Sequence, residues 1–369
     1  MNVRVPIVAM LVLAAMPAAG AADQRRPSGP SAPRADTNAI ETLTPDQARG
    51  LVAGFKGVEV TIAVGGPREG VDGPASRAVG LPLDGLKTID AETAAALAAF
   101  PGTSLHLRGL TVLPADCGRA LATFKGRYLL LDGLTTLPAD TAAALAAFKG
   151  NALHLDGLTV LDAEAATALA AFAGLRLELD GLTAIDAETA AALARFGGAS
   201  LHLNGLEQID ANVAAALARS ACLRLDVGGI ARRTALDTPE SVAVLRLLSA
   251  PCVTADGRLH LPALARLSPA VAEALVAMDQ WSGDLPGLTA FEAADSVAVA
   301  KALAARKGAL RLPHLKKISP KTLSALIEKE DIDIPLIETL ELIPEPDGAA
   351  TDDFVIPERF QERQRRQDR

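Results

Sequence analysis

The sequence predicts an α/β solenoid, in which short parallel strands line one face and short helices line the other. A Gly-Leu or Gly-Ile pair recurs every 24 residues, each copy has a strand-like alternation of leucines, and an Ala-rich segment with helical spacing lies between successive alternations. The apolar residues of the seven regular pairs are Leu86, Leu110, Leu134, Leu158, Leu182, Leu206 and Ile230, and looser copies follow at Leu264, Leu288, Leu315 and Ile337.

Residues 133–156, "GLTTLPADTAAALAAFKGNALHLD", contain both halves of one unit. Leu153 and Leu155 flank His154, and this period of two predicts a strand with its leucines on one face. Ala142, Leu145 and Phe148 are three residues apart, which predicts a helix over 140–148 with one apolar face.

Helix start and stop signals recur in the same register. Pro269 and Pro320 are expected at the first helical position, where the missing N–H costs nothing, and Gly150 and Gly174 are expected to end helices. The predicted N-cap residues, whose side chains accept hydrogen bonds from first-turn N–H groups, are Asp90, Asp162, Asp186, Asp210, Ser268 and Ser319.

One 24-residue unit cannot bury its own leucines, whereas stacked units cover one another. An open parallel sheet would need longer helices and less uniform lengths, so the solenoid is the preferred fold. Half of the residues are hydrophobic but only 3% are aromatic, which predicts a core of Leu, Ala, Val and Ile. Cys117 is expected to pack as a small residue, and the spacing of Cys222 and Cys252 leaves a disulfide between them open.

The strand residues resemble the leucine-rich repeat family, whose strand pattern is L-x-x-L-x-L. The likeness covers about residues 43–343 and is closest to the Ala-rich, 24-residue repeats of secreted bacterial members. It implies a concave strand face, which in this family usually binds proteins. The matching residues are Leu153, Leu155, Leu158 and Leu161 in one copy and Leu177, Leu179, Leu182 and Ile185 in the next.

The family often places Asn where Leu158 and Leu182 stand, and that side chain bonds the turn backbone from rung to rung. This chain must satisfy its turns in another way.

Composition indicates the domain boundaries. The expected solenoid spans 41–343, with a first helix at 42–57 as its N-terminal cap. Residues 22–40 are rich in Pro, Ser and Arg and indicate a disordered linker, and the charged residues 344–369 indicate a disordered tail.

Two stretches of the predicted solenoid are irregular. Residues 65–80 lack helical periodicity and are expected to form a loop in place of a helix. Residues 231–258 lengthen the repeat and are expected to hold an insertion.

The N-terminus has the pattern of a secretory signal peptide over residues 1–21. Arg4 is followed by a short apolar run, then Pro17, then small residues at 19–21 that fit a cleavage site. We therefore expect a secreted, periplasmic or cell-envelope protein with no membrane span after cleavage. An uncleaved signal anchor is the alternative, although the run is short for a span.

The outward strand face carries the candidate binding residues. In each rung the residue between the two leucines, and the residue two further on, are expected to point away from the core. These columns hold His106, Arg108, Asp132, His154, Asp156, Glu178, Asp180, His202, Asn204, Asp226 and His260.

Asp132, Asp156 and Asp180 stand on consecutive rungs, where carboxylates ~5 Å apart repel by roughly 1 kcal/mol per pair in water. Each Asp precedes a Gly, so it is expected either to cap the turn backbone two residues on or to form an acidic stripe for a basic partner or a divalent cation. A zinc site from His154, Glu178 and His202 is disfavoured, because the two histidines start ~10 Å apart. No metal site is predicted.

These observations favour a non-catalytic scaffold that binds a protein or other macromolecule, with a basic partner as one expectation. The sequence contains no Gly-rich phosphate loop, H-E-x-x-H or G-x-S-x-G, so no catalytic residue and no cofactor are predicted. The net charge of −8 disfavours nucleic acid. The alternatives are an enzyme with its site at 231–258 or 65–80, and a purely structural envelope component.

Overall fold

The computed structural model describes residues 37–55, 57–62, 76–232, 235–253 and 258–345. The strands are β1 Val58–Ile62, β2 Ser76–Pro82, β3 Ser104–His106, β4 Tyr128–Leu130, β5 Ala152–His154, β6 Arg176–Glu178, β7 Ser200–His202, β8 Arg224–Asp226, β9 Ala235–Leu236, β10 Arg266–Leu267, β11 Leu310–Arg311, β12 Lys317–Ile318, β13 Ile332–Asp333 and β14 Glu341–Leu342. The helices are α1 Pro45–Gly54, α2 Ala91–Ala98, α3 Ala115–Leu121, α4 Ala139–Ala146, α5 Ala163–Ala170, α6 Ala187–Leu193, α7 Ala211–Leu217, α8 Gly228–Ala231, α9 Ser241–Leu248, α10 Pro269–Val276, α11 Ser296–Ala304 and α12 Pro320–Ile327.

Strands β1 to β8 form one sheet in sequence order. The pair β1–β2 is antiparallel and every later pair is parallel. In the parallel pairs from β2 to β8, the two paired residues are 24 positions apart, as Leu105 pairs with Leu129 and Leu153 with Leu177. This register confirms the predicted period and the α/β solenoid fold.

Successive helices from α2 to α7 stack beside one another, and each strand leads to a helix across the shared core. Leu153, Leu155 and Leu158 of one rung are fully buried, as are Leu177, Leu179 and Leu182 of the next. The leucines of each rung therefore cover those of its neighbours, which is why no rung is complete alone.

The predicted helix starts are confirmed. All six expected N-cap side chains accept a first-turn backbone N–H, and α10 and α12 begin at Pro269 and Pro320. The expected stop at Gly150 is wrong, because α4 already ends at Ala146 and Ala147 caps it with right-handed α geometry. Neither Gly150 nor Gly174 has a positive φ.

These glycines serve a phenylalanine stack instead. Phe124, Phe148, Phe172 and Phe196 lie 6.2 to 6.3 Å apart between ring centroids, with planes within 6° of parallel. A Cβ on Gly150 would lie 2.1 Å from the ring of Phe148. The composition predicted a core of aliphatic residues alone, but the core also contains these phenylalanine rings.

Beyond β8 the sheet breaks into two-stranded parallel pairs, β9–β10, β11–β13 and β12–β14. Within 231–258 the described residues form β9 and α9, and α9 packs between α7 and α10. A strand and a helix therefore continue the repeat there, and the extra residues lie in its connections. Residues 233–234 and 254–257 lie outside the described residues.

The N-terminal edge differs from expectation in two places. Thr37–Ala39 form a 3-10 turn with Thr37 buried, so the linker expected at 22–40 is wrong for its last residues. Likewise, 76–80 belong to β2 and are not a loop, while 63–75 lie outside the described residues. The first helix is α1, which begins with a capping box between Thr44 and Gln47.

The three cysteines and Trp281 have clear environments. Cys117 is buried as expected, and Cys222 and Cys252 are free thiols. Trp281 is a core residue with 1% exposure, and the guanidinium of Arg306 lies 5.1 Å from its ring centroid. None of the helices in the described ranges has the length and apolar character needed to cross a membrane. The signal peptide predicted at 1–21 falls outside those ranges, as does the tail after residue 345. The tail was predicted to begin at residue 344, but Glu345 is buried and accepts hydrogen bonds from the Ser319 hydroxyl and the Lys321 N–H, so the predicted disorder is wrong for its first residues.

Candidate binding face

The strand face of β2 to β8 carries both predicted columns on one sheet. The first column, at the last residue of each strand, is much less accessible than expected: His106, His154 and His202 are only 2 to 6% exposed. Rungs stand ~5 Å apart, so side chains in one column cover one another and are covered by the columns on either side. These histidines are therefore covered by neighbouring side chains and do not lie open to solvent.

The second column forms a hydrogen-bond ladder between rungs. Oδ1 of Asp156 accepts the backbone N–H of Asp180 at 2.9 Å, and Oδ1 of Asp180 accepts that of Asn204 at 2.8 Å. Asn204 continues the ladder to the N–H of Gly228 at 2.7 Å. The ladder begins with two longer hydrogen bonds. The N–H of Arg108 donates to Asp84 at 3.2 Å, and the N–H of Asp156 donates to Asp132 at 3.4 Å.

This ladder replaces the asparagine ladder that the sequence lacks. The expected cap of the backbone two residues on is wrong in its target, because each side chain reaches the equivalent residue 24 positions on. The following glycine lets the turns approach: a Cβ on Gly181 would lie 2.0 Å from the carbonyl oxygen of Asp156. The Asp-Gly pair is therefore a feature of the repeat, because Asp bonds the next rung and Gly lets the preceding rung come close.

The charges of the ladder are only partly balanced. The guanidinium of Arg108 lies 2.8 Å from Asp132 and 3.6 Å from Asp84. Asp180 receives a further bond from the side-chain amide of Asn204 at 3.1 Å. Among the described residues, neither Asp156 nor Asp180 forms an ion pair, so the middle of the ladder keeps uncompensated negative charge.

Two His–carboxylate pairs cross the first column. Nδ1 of His154 lies 2.8 Å from Glu178, which also contacts Arg176 at 3.3 Å. Nδ1 of His202 lies 3.7 Å from Asp226, which Arg224 holds at 2.9 Å. Each pair joins consecutive rungs, so these contacts link neighbouring strands.

The third histidine of the column, His106, lies within hydrogen-bond distance of Ser104 at 3.0 Å, and His202 likewise contacts Ser200 at 3.2 Å.

Burial and neighbouring charges shift several pKa values on this face. Burial lowers the pKa of His106 to about 4, and the charge of Arg108 adds to that effect. Burial also lowers the pKa of His202, against the opposing charges of Glu178 and Asp226. Both imidazoles are therefore held in their neutral form.

The carboxylates on this face behave differently from one another. Burial raises the pKa of Asp156 to about 6; the N–H of Asp180 opposes this, and nearby carboxylates add to it. Burial would also raise the pKa of Glu178, but the hydrogen bond and charge of His154, with His202 and Arg176, outweigh it and lower that pKa.

Ten of the eleven predicted residues lie on this sheet or in the turns that follow its strands. The exception is His260, an exposed residue that lies beyond the eight-stranded sheet next to the single bridge between Leu259 and Trp281. The remaining ten lie in the continuous columns, either largely buried in the first or half-buried to exposed in the second.

The sequence reasoning missed a third column, two residues before the first. Ser104, Arg176, Ser200 and Arg224 lie in it and contact the first column directly. The same period of two that located the other columns places these residues on the outward face, so the signal was present in the alternation.

Two cavities lie away from this face. One of about 470 Å³ is lined mainly by apolar side chains of α1 and α2, including Val52, Ala53 and Ala96. The other, of about 210 Å³, lies between the rung of β10 and α11.

The fold and this face define an α/β repeat solenoid whose strand–helix pattern fits a leucine-rich-repeat-like fold. Among solved structures, the chain is similar to an internalin from Listeria monocytogenes at 14% identity and a TM-score of 0.34, over 74% of this chain and 73% of that chain. It is also similar to the complex of Rad7 and Elc1 from yeast at 17% identity and a TM-score of 0.30, over 70% of this chain and 78% of that chain. No protein-family model and no curated protein matches the sequence.

Proposed function

We propose that this chain is an exported, non-catalytic repeat scaffold that binds a protein or other macromolecule through its strand face, and that the partner surface is basic. The observation that carries the proposal is the second column, where Asp132, Asp156 and Asp180 repeat at rung spacing and only Asp132 has a cationic partner among the described residues. Charges aligned over several rungs act together on an approaching surface.

The shape of the face supports binding over catalysis. The titratable groups with shifted pKa values on this face lie along a row of strands, and the two cavities are elsewhere. Neither of the two cavities is lined by residues of 231–258 or 65–80, so the alternative of an enzyme with its site there gains no support. Export rests on the pattern of residues 1–21.

Replacing Asp132, Asp156 and Asp180 with Asn tests the proposal. Asn204 already occupies this column and continues the ladder, so Asn keeps the acceptor oxygen and removes only the charge. We expect unchanged folding and at least roughly tenfold slower association with a basic partner at low salt, because aligned charge acts mainly on the rate of encounter.

The partner is first captured from envelope extract and identified by mass spectrometry, and its association rate is then measured with EDTA present. The matched control is D140N/E164Q/E188Q, which removes three charges from the helix side. Equal rates for all three proteins would contradict the proposal. Loss of stability with retained binding would reduce the aspartates to a structural role.

A further inference from the structure

The geometry points to a binding site for one divalent transition-metal ion, with zinc as the best fit, formed by Asp132, His154 and Asp156. One ligand atom from each of these residues lies within 4.8 Å of the others. An imidazole nitrogen with two carboxylate oxygens is a donor set that zinc accepts. This inference goes beyond partner binding and needs no partner to be tested.

The state of His154 is the observation that sets this cluster apart from ordinary acidic groups. Its side chain is only 7% exposed, and its Nδ1 is held by Glu178 at 2.8 Å. Its Nε2 is buried with no hydrogen-bond partner among the described residues. A polar atom buried without a hydrogen-bond partner is destabilising, so a ligand at this nitrogen would be favourable.

The orientation of the ring fits that role. The two imidazole nitrogens point in different directions, and Nδ1 is directed to the following rung. Nε2 is therefore turned back toward the preceding rung, which carries Asp132. A histidine that donates one N–H to a carboxylate and offers its other nitrogen is the usual arrangement of a metal ligand, with Glu178 fixing the tautomer.

Both carboxylates supply negative charge, and Asp156 does so without losing its ladder bond. Oδ1 of Asp156 accepts the N–H of Asp180, so Oδ2 is the oxygen that faces an ion. Asp132, Asp156, Glu178 and Asp180 stand close together, and among the described residues only Arg108 and Arg176 pair with any of them as permanent cations. A divalent cation would balance this excess.

Only small movements are needed. Ligand atoms around a tetrahedral zinc ion lie ~3.3 Å apart for bonds of ~2.0 Å. The present separations of up to 4.8 Å are about 1.5 Å longer, a difference within the reach of side-chain rotation. Three protein ligands leave a fourth position open to water or to a ligand from elsewhere.

The other two histidines of the first column can be compared with His154. Three histidines occupy the first column, and each has two residues of the second column beside it. His106 has Asp84 and Arg108, and His202 has Asp180 and Asn204. Of the three, only His154 has two carboxylates, so only this rung carries the full donor set.

Titration of the purified, untagged chain with Zn²⁺ by calorimetry tests the site. We expect one ion per chain with a dissociation constant in the micromolar range or below. His154→Leu introduces the residue that Leu130 already places in this column, and Asp156→Asn introduces the residue that Asn204 places in the second column. Each substitution should weaken binding at least tenfold. His202→Leu is the matched control and should bind as the wild type does.

Several outcomes would overturn the site: no Zn²⁺ binding by the wild type at millimolar concentration, unchanged binding in His154→Leu or Asp156→Asn, or an equal loss in His202→Leu. Circular dichroism checks the fold of each variant. If His154→Leu fails to fold, Asp156→Asn decides, because it keeps the ladder acceptor.

Discussion

At position 106 a buried histidine stands where the next rung has Leu130. Its ring lies within hydrogen-bond distance of Ser104, and Arg108, Asp84, His154 and Asp132 are the charged and titratable groups around it. Because its pKa in the folded chain is about 4, well below the usual 6.5, the unfolded chain takes up a proton first as pH falls.

The stability contributed by neutral His106 is therefore present above about pH 6.5 and lost as pH falls toward 4. The shift corresponds to about 3 kcal/mol. The variant His106→Leu lacks this titration. Lowering the pH from 7 to 4 should therefore reduce the unfolding free energy of the wild type by about 2–3 kcal/mol more than that of the variant. Urea denaturation at both pH values measures it, and a constant difference would show that this imidazole has the same pKa in the folded and unfolded chains.

Residue-scale function was predictable only in part. The alternation around Leu153 and Leu155 located the outward columns correctly, because a period of two fixes the side of a strand. It could not show that His154 is buried, since burial depends on side chains from neighbouring rungs. Nor could it show that Asp156 bonds residue 180, because that contact crosses between repeats.

At the scale of the element, the exit of each helix from α3 to α6 is set by a phenylalanine and a glycine two residues later. The ring of Phe148 lies over Gly150, where a Cβ would also come within 2.8 Å of the carbonyl of Arg127. The low aromatic content concealed this feature, because few phenylalanines suffice when they recur at the repeat period. Helix starts were predictable because their caps are local in sequence.

Gly150→Ala should lower the free energy of unfolding by about 1–3 kcal/mol, since the added methyl group must displace a packed ring or a strand carbonyl. Gly197→Ala is the control, because a Cβ there meets nothing within 4 Å. Chemical denaturation compares the two variants. Equal, small effects would mean that the ring is free to move aside.

At the scale of the molecule, the 24-residue period predicted the parallel register from β2 to β8, because identical units stacked in one direction must pair at that offset. The shorter strand pairs beyond β8 were not predictable in detail. There the first residues of α7 and α9 are 30 positions apart, those of α9 and α10 are 28 apart, and those of α10 and α11 are 27 apart. Because these connections are uneven, the sequence does not determine the strand register. The helices nevertheless continue to stack through α12.

The stacked units share one continuous core, and a matched pair of substitutions on α4 tests whether they do so in this register. Leu145 is fully buried, whereas Ala143 on the same helix is exposed. Leu145→Asp should cost several kcal/mol, because it places a charge in the shared interior, and Ala143→Asp should change stability by less than about 1 kcal/mol. The measurement is the free energy of unfolding by urea denaturation. A large loss in Leu145→Asp alone is predicted, and an unchanged value in that variant, or equal losses in both, would contradict the stacked register.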